Sequence, residues 1–127
     1  MKTGWVDLTV SKLRLHKPAW VSRLRHPYPE QFSPRLDFPP YDGTPRLYLM
    51  ATMPRCGSHF LGHTLHSTGQ FGFPLEYLNR MNLDIWRARL KAVDDLSALE
   101  SLLRIRTSPS GWFGLKAHWN QFSAFNI

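Results

Sequence analysis

Apolar residues first form a sustained pattern at Arg46. Leu47, Tyr48, Leu49, Met50 and Ala51 are apolar at both alternating positions, the pattern of a strand buried on both faces of a parallel sheet. The run breaks at Pro54-Arg55-Cys56-Gly57-Ser58 and resumes with Phe60, Leu61 and Leu65 on one side of a helix. Ser58 is expected as that helix's N-cap and Gly69 as its stop. A loop follows and ends near Glu76. Leu83, Trp86 and Leu90 then recur at helical spacing in "NLDIWRARLKAV". "DDLSALESLLRIR" predicts another helix, capped by Asp94 or Asp95, with Leu96, Leu99, Leu102 and Leu103 facing inward. "TSPSG" stops it, "WFGLKAHW" reads as a second strand, and "NQFSAF" begins a further helix.

This order predicts an α/β layer with a right-handed crossover between parallel strands. Two strands are fewer than a parallel sheet normally needs for burial on both faces. The expectation is therefore the N-terminal part of a larger α/β domain, covering residues 46–127, with the remaining strands on another chain or absent.

Residues 1–45 have a different character. Seven of the ten prolines fall there, and "HPYPEQFSPRLDFPPYDGTP" cannot sustain a helix or a central strand, because proline removes donors and restricts the residue before it. This segment reads as a Pro-rich basic extension. Val10 to Leu24 has the makings of a basic amphipathic helix interrupted at Pro18, although a loosely packed arm fits it better.

Charge narrows the partners. Sixteen Lys and Arg against nine Asp and Glu give a net charge of +7, which favours anions such as nucleotides, nucleic acid or acidic lipid. One cysteine, Cys56, excludes an internal disulfide framework and fits a reducing compartment. Without a long apolar run or a signal-type N-terminus, the chain is expected to be cytoplasmic, with no membrane span. Unpaired strands and exposed apolar faces would favour a homo-oligomer.

The break at residues 54–58 sits where a strand delivers a loop to a helix N-terminus, an arrangement that binds phosphate and sulfate groups. It lacks the Lys and paired glycines of a Walker loop. Arg55 instead offers a planar fork of donors, and the amides from Gly57 onward lie at the positive end of the helix.

Several ordered motifs here resemble the trehalose 2-sulfotransferase family, carbohydrate sulfotransferases that use 3'-phosphoadenosine 5'-phosphosulfate (PAPS). Arg55, Gly57 and Ser58 match that family's loop, Thr68 and Gly69 its helix end, and Gly72, Pro74, Glu76 and Tyr77 its G-x-P-x-E-[YF] segment. Gly111, Gly114, Lys116, Trp119, Asn120 and Gln121 match its second strand. Cys56 and His59 depart from it, standing where the family has Ser and Thr. The resemblance implies a P-loop-like sulfotransferase fold and sulfuryl transfer from PAPS, the nucleotide sulfate donor, to a carbohydrate acceptor. Arg55, Cys56, Gly57, Ser58 and His59 would hold the donor, Arg55 would also act in catalysis, and Glu76 would be the catalytic base.

Other readings compete with this one. A remnant loop on a basic chain would bind nucleotide or nucleic-acid phosphates without chemistry, helped by Arg14, Lys17, Arg23 and Arg25. His59, His63 and His66 recur at i, i+4 and i+7, a metal-compatible spacing. A structural zinc site usually draws on two segments, however, and Phe60 and Leu61 point to the opposite helix face as the buried one, so no metal is expected. A cysteine-nucleophile enzyme lacks an evident His-plus-acid set around Cys56. Lys116 reads as a solvated or structural cation, and Trp112, Phe113 and Trp119 as core.

Overall fold

The computed structural model describes residues 26–53 and 56–118. Arg55, the Val10–Leu24 segment, Trp119, Asn120, Gln121 and the "NQFSAF" segment lie outside the described residues. The described chain is a small mixed α/β unit. Strand β1 (Arg46–Thr52) is followed by helices α1 (Ser58–Thr68), α2 (Arg80–Leu90) and α3 (Asp95–Ile105), then by strand β2 (Trp112–His118). The strands pair in parallel, from Arg46 opposite Trp112 to Thr52 opposite His118.

Local chemistry accounts for most of the boundaries. Asn79 caps α2, its side chain accepting from the amides of Met81 and Asn82, and Asp94 caps α3 by accepting from Ser97. Gly69 ends α1 in the left-handed conformation, at φ 71°. The start of α1 differs from expectation: Gly57 is the capping residue, at φ 82°, and Ser58 is the first helical residue with no side-chain cap. Glycine adopts this left-handed conformation without a β-carbon penalty.

The core lies on the β2 side. Phe32, Phe73, Leu75, Tyr77, Ile85, Trp86, Leu102 and Phe113 form one buried cluster that joins the loop before α2, helices α2 and α3, and β2. The Pro-rich segment forms two short 3₁₀ turns, Pro29–Phe32 and Pro34–Leu36, and contributes Phe32 from the first. Arg106, fully buried, pins this segment: its Nε donates to Asp37 Oδ1 at 3.0 Å and its Nη2 to the Gln31 carbonyl at 2.7 Å. Arg89 also pairs with Asp37, and the Arg106 guanidinium lies 4.7 Å from the Trp86 ring centre.

Three expectations about burial fail. Leu47 and Leu49 of β1 are 65% and 48% exposed rather than buried on both faces, because the core packs on the other strand. Helix α1 exposes Phe60 and Leu61 and turns its histidines inward, with the His63 and His66 rings against Phe73. The cause is Gly62: a β-carbon there would sit 2.7 Å from the Pro74 carbonyl, so this face alone allows α1 to approach the loop. In α3, Leu96 is exposed and Ala98 takes the inward position, beside buried Leu102.

Candidate functional site

The site begins with a close approach of backbone to backbone. The segment from Gly72 to Glu76 lies alongside β2 as an extra rung: Leu75 bridges Leu115 in parallel, and the Lys116 amide donates to the Leu75 carbonyl at 3.0 Å. Only glycine allows this contact. A β-carbon on Gly72, itself at φ 65°, would lie 2.7 Å from the Trp112 carbonyl, and one on Gly114 would lie 2.9 Å from the Pro74 side chain.

Glu76 follows directly from this rung and reaches two basic side chains of β2. Lys116 and His118 alternate onto the same strand face. Glu76 Oε1 accepts from His118 Nε2 at 2.8 Å and lies 3.7 Å from Lys116 Nζ. Lys116 is 5% exposed, so it is a buried structural cation and not a solvated one. His118 Nδ1 meets Thr52 of β1 twice, at 2.9 Å from the hydroxyl and 3.0 Å from the carbonyl. The neutral Nε2–H imidazole can accept from the Thr52 hydroxyl, whereas the imidazolium can donate to the Thr52 carbonyl and to Glu76 together. His118 therefore has partners in both protonation states.

The α1 N-terminus faces this group across a cavity of about 190 Å³, lined by Tyr28, Cys56, Gly57, Ser58, His59, Glu76, Lys116 and His118. A neighbouring cavity, also of about 190 Å³, shares Tyr28, His59, Glu76 and Lys116 and extends to His26 and Asn82. His26 Nε2 and Asn82 Oδ1 lie 2.7 Å apart, and Asn82 donates to the Glu76 carbonyl at 3.0 Å, so the loop is held from below as well. The structure thus brings together Cys56, Gly57, Ser58, His59 and Glu76, all named from the sequence.

Cys56 is exposed. Hydrogen bonding from the Met53 backbone, and then from the Ser58 hydroxyl and amide, holds its thiol below the ordinary value. The His59 side chain turns away from the loop. It stacks on Tyr28 with ring centres 3.7 Å apart, and its Nε2 lies 3.1 Å from His63 Nε2 and 3.8 Å from Glu30 Oε1. Burial first, then the nearby His63 and Lys116 charges, push the His59 imidazole below its ordinary range, against the opposing pull of Glu30. His66 does not join this group, since its Nε2 meets the Leu36 carbonyl at 2.9 Å.

Sequence reasoning missed Tyr28, Glu30, Thr52 and His118 as parts of this site. His118 carried a signal, two positions beyond Lys116 on a strand. Tyr28 and Glu30 carried none, because only the tertiary anchoring of Phe32 and Asp37 brings the Pro-rich segment here.

Among the described residues no helix is long and apolar enough to cross a membrane. Comparisons with protein-family models, with curated proteins and with solved structures find no match to this chain.

Proposed function

We propose that the chain is a sulfuryl-transfer protein of P-loop-like sulfotransferase fold, taking PAPS as donor and a carbohydrate hydroxyl as acceptor. The observation that carries this reading is a carboxylate, Glu76, held between His118 and Lys116 on the wall of the cavity into which a helix N-terminal loop opens.

In this reading the α1 amides at Gly57, Ser58 and His59 receive the sulfate end of the donor, and Arg55 supplies a planar fork of donors to it. His59 contributes its backbone, since its ring is engaged by Tyr28. The acceptor oxygen attacks sulfur, the bond from sulfur to the bridging phosphate oxygen breaks, and the bisphosphate nucleotide leaves. Glu76 accepts the proton that the hydroxyl loses as the new bond forms. Lys116 lines the same cavity and, 3.7 Å from Glu76, helps to hold that carboxylate. His118 is a positioning residue that fixes the carboxylate.

Calorimetric titration with adenosine 3',5'-bisphosphate and a transfer assay with labelled PAPS against a panel of sugars test the proposal. Arg55→Ala is expected to abolish nucleotide binding, and Glu76→Gln to keep binding while losing transfer. Transfer by Glu76→Gln at the unaltered rate overturns the base assignment. Binding that collapses with added salt and shows no preference for the bisphosphate marks a general phosphate-binding protein instead.

A further inference from the structure

We propose that Glu30, His59 and His63 form a three-ligand site for a divalent transition metal of the zinc class, with a fourth position open to the adjoining cavity.

The donor atoms already stand at ligand spacing. His59 and His63 are one helical turn apart on the inward face of α1, the arrangement by which two imidazoles on one helix share a metal. Their Nε2 atoms are 3.1 Å apart. Two nitrogens bound tetrahedrally at the usual zinc distance are separated by about 3.3 Å. Glu30 Oε1 lies 3.8 Å from His59 Nε2, and the three donor atoms fall within 4.8 Å of one another. The Glu30 side chain is 45% exposed, so a small rotation brings its oxygen onto a shared ion.

The ligands come from two separate segments, and each is held independently. His59 is fixed by its stack on Tyr28, and His63 by its edge contact with Phe73 at 5.0 Å. Glu30 sits in the 3₁₀ turn whose next two residues, Gln31 and Phe32, are buried. Supporting rings and an anchored turn reduce the ordering that metal binding has to impose. Two imidazoles and one carboxylate make a borderline-soft, singly charged donor set that suits zinc better than magnesium or calcium. His66, at the remaining position of the histidine repeat, is excluded because the Leu36 carbonyl engages it.

Three protein ligands are one fewer than a closed structural zinc site, and three is the number found where water or substrate takes the fourth place. His59 lines both cavities, so that place borders the group around Glu76. The inference stands without the proposed transfer activity, and its test uses no nucleotide.

The test is calorimetry of the full, metal-stripped chain with Zn²⁺, together with visible spectroscopy of the Co²⁺ form. One equivalent of Zn²⁺ is expected, with a tetrahedral Co²⁺ spectrum that lacks a thiolate charge-transfer band. Glu30→Gln and His63→Gln are each expected to weaken binding by about tenfold or more. His66→Gln is expected to leave it unchanged. Glu30→Gln alters a half-exposed side chain, and circular dichroism verifies that its fold is retained. The proposal is overturned if the wild-type chain binds no Zn²⁺, if Glu30→Gln and His63→Gln bind as tightly as wild type, or if a thiolate band puts the ion on Cys56.

Discussion

Glu76 and His118 meet across the top of β2 at 2.8 Å, and Thr52 of the neighbouring strand holds the far nitrogen of the same imidazole. A carboxylate supported in this way has one orientation to offer a substrate. On the proposed transfer activity, His118→Asn is therefore expected to lower kcat by about tenfold to a hundredfold, the scale of a misplaced acid or base group, with nucleotide affinity unchanged. Steady-state kinetics over a range of donor concentrations check this. A rise in donor KM at constant kcat would give His118 a binding role instead.

The Glu76 loop depends on two missing side chains. Gly72→Ala puts a β-carbon 2.7 Å from the Trp112 carbonyl in a backbone conformation with φ 65°. The expected loss is about 2 kcal/mol of stability, from overpacking and left-handed strain together. The proposed transfer activity is expected to fall further than stability, since the carboxylate moves with the loop. An unchanged melting temperature for Gly72→Ala would mean that loop and strand are not in contact in solution.

Asp37 is the only acidic partner of the buried Arg106 guanidinium among the described ion pairs. Asp37→Asn leaves a cation inside the core without its counter-charge, and it also releases Arg89. A loss of about 3 kcal/mol is expected, as for other half-broken buried pairs. Urea unfolding measures it, and a loss below about 1 kcal/mol would show that the carbonyls of Gln31 and Ser33 suffice to hold Arg106.

Cys56 is exposed with its thiol drawn below the ordinary value by the Met53 backbone and Ser58. The lowered value enlarges the thiolate fraction at neutral pH, so iodoacetamide is expected to label Cys56 faster than it labels free cysteine. Adenosine 3',5'-bisphosphate is expected to slow the labelling by occupying the same loop amides. Labelling that ignores the nucleotide at saturating concentration would separate the proposed anion site from the loop.

Acid should loosen the junction of α2 and α3. The Asp95 carboxyl is held below its ordinary range, first by hydrogen bonds from Arg80 and then by the charges of Arg80 and Arg87. A depressed folded-state value means that this stabilisation is complete above about pH 4 and is lost as pH falls through the folded-state value. Asp95→Asn should show a flatter stability profile over that acidic window. Parallel profiles for the two proteins would remove the pair from the account of acid unfolding.

Much of the fold was legible because local chemistry agrees with it. Asp94 and Gly69 bound their helices as side-chain and backbone preferences dictate, and "WFGLKAH" forms the strand expected of it. The inward face of α1 was not legible. Phe60 and Leu61 outweigh three histidines on any hydropathy scale, yet the deciding contact is Gly62 against a carbonyl of a later loop. The burial of Lys116 likewise depends on Glu76, which is distant in sequence. At the site, the loop residues and Glu76 could be named in advance. Tyr28 and Glu30 could not, because a buried arginine at the end of α3 decides where the Pro-rich segment lies.

That arginine ties two equilibria together. Seating residues 26–37 against Arg106 completes the cavity wall that Tyr28 provides, so whatever occupies the cavity and touches Tyr28 also stabilises the seated segment. By linkage, the factor by which the Asp37 clamp tightens such a ligand equals the factor by which the ligand tightens the clamp. A ligand thus acts as a remote brace for the core, and a core mutation acts as a remote competitor for the ligand.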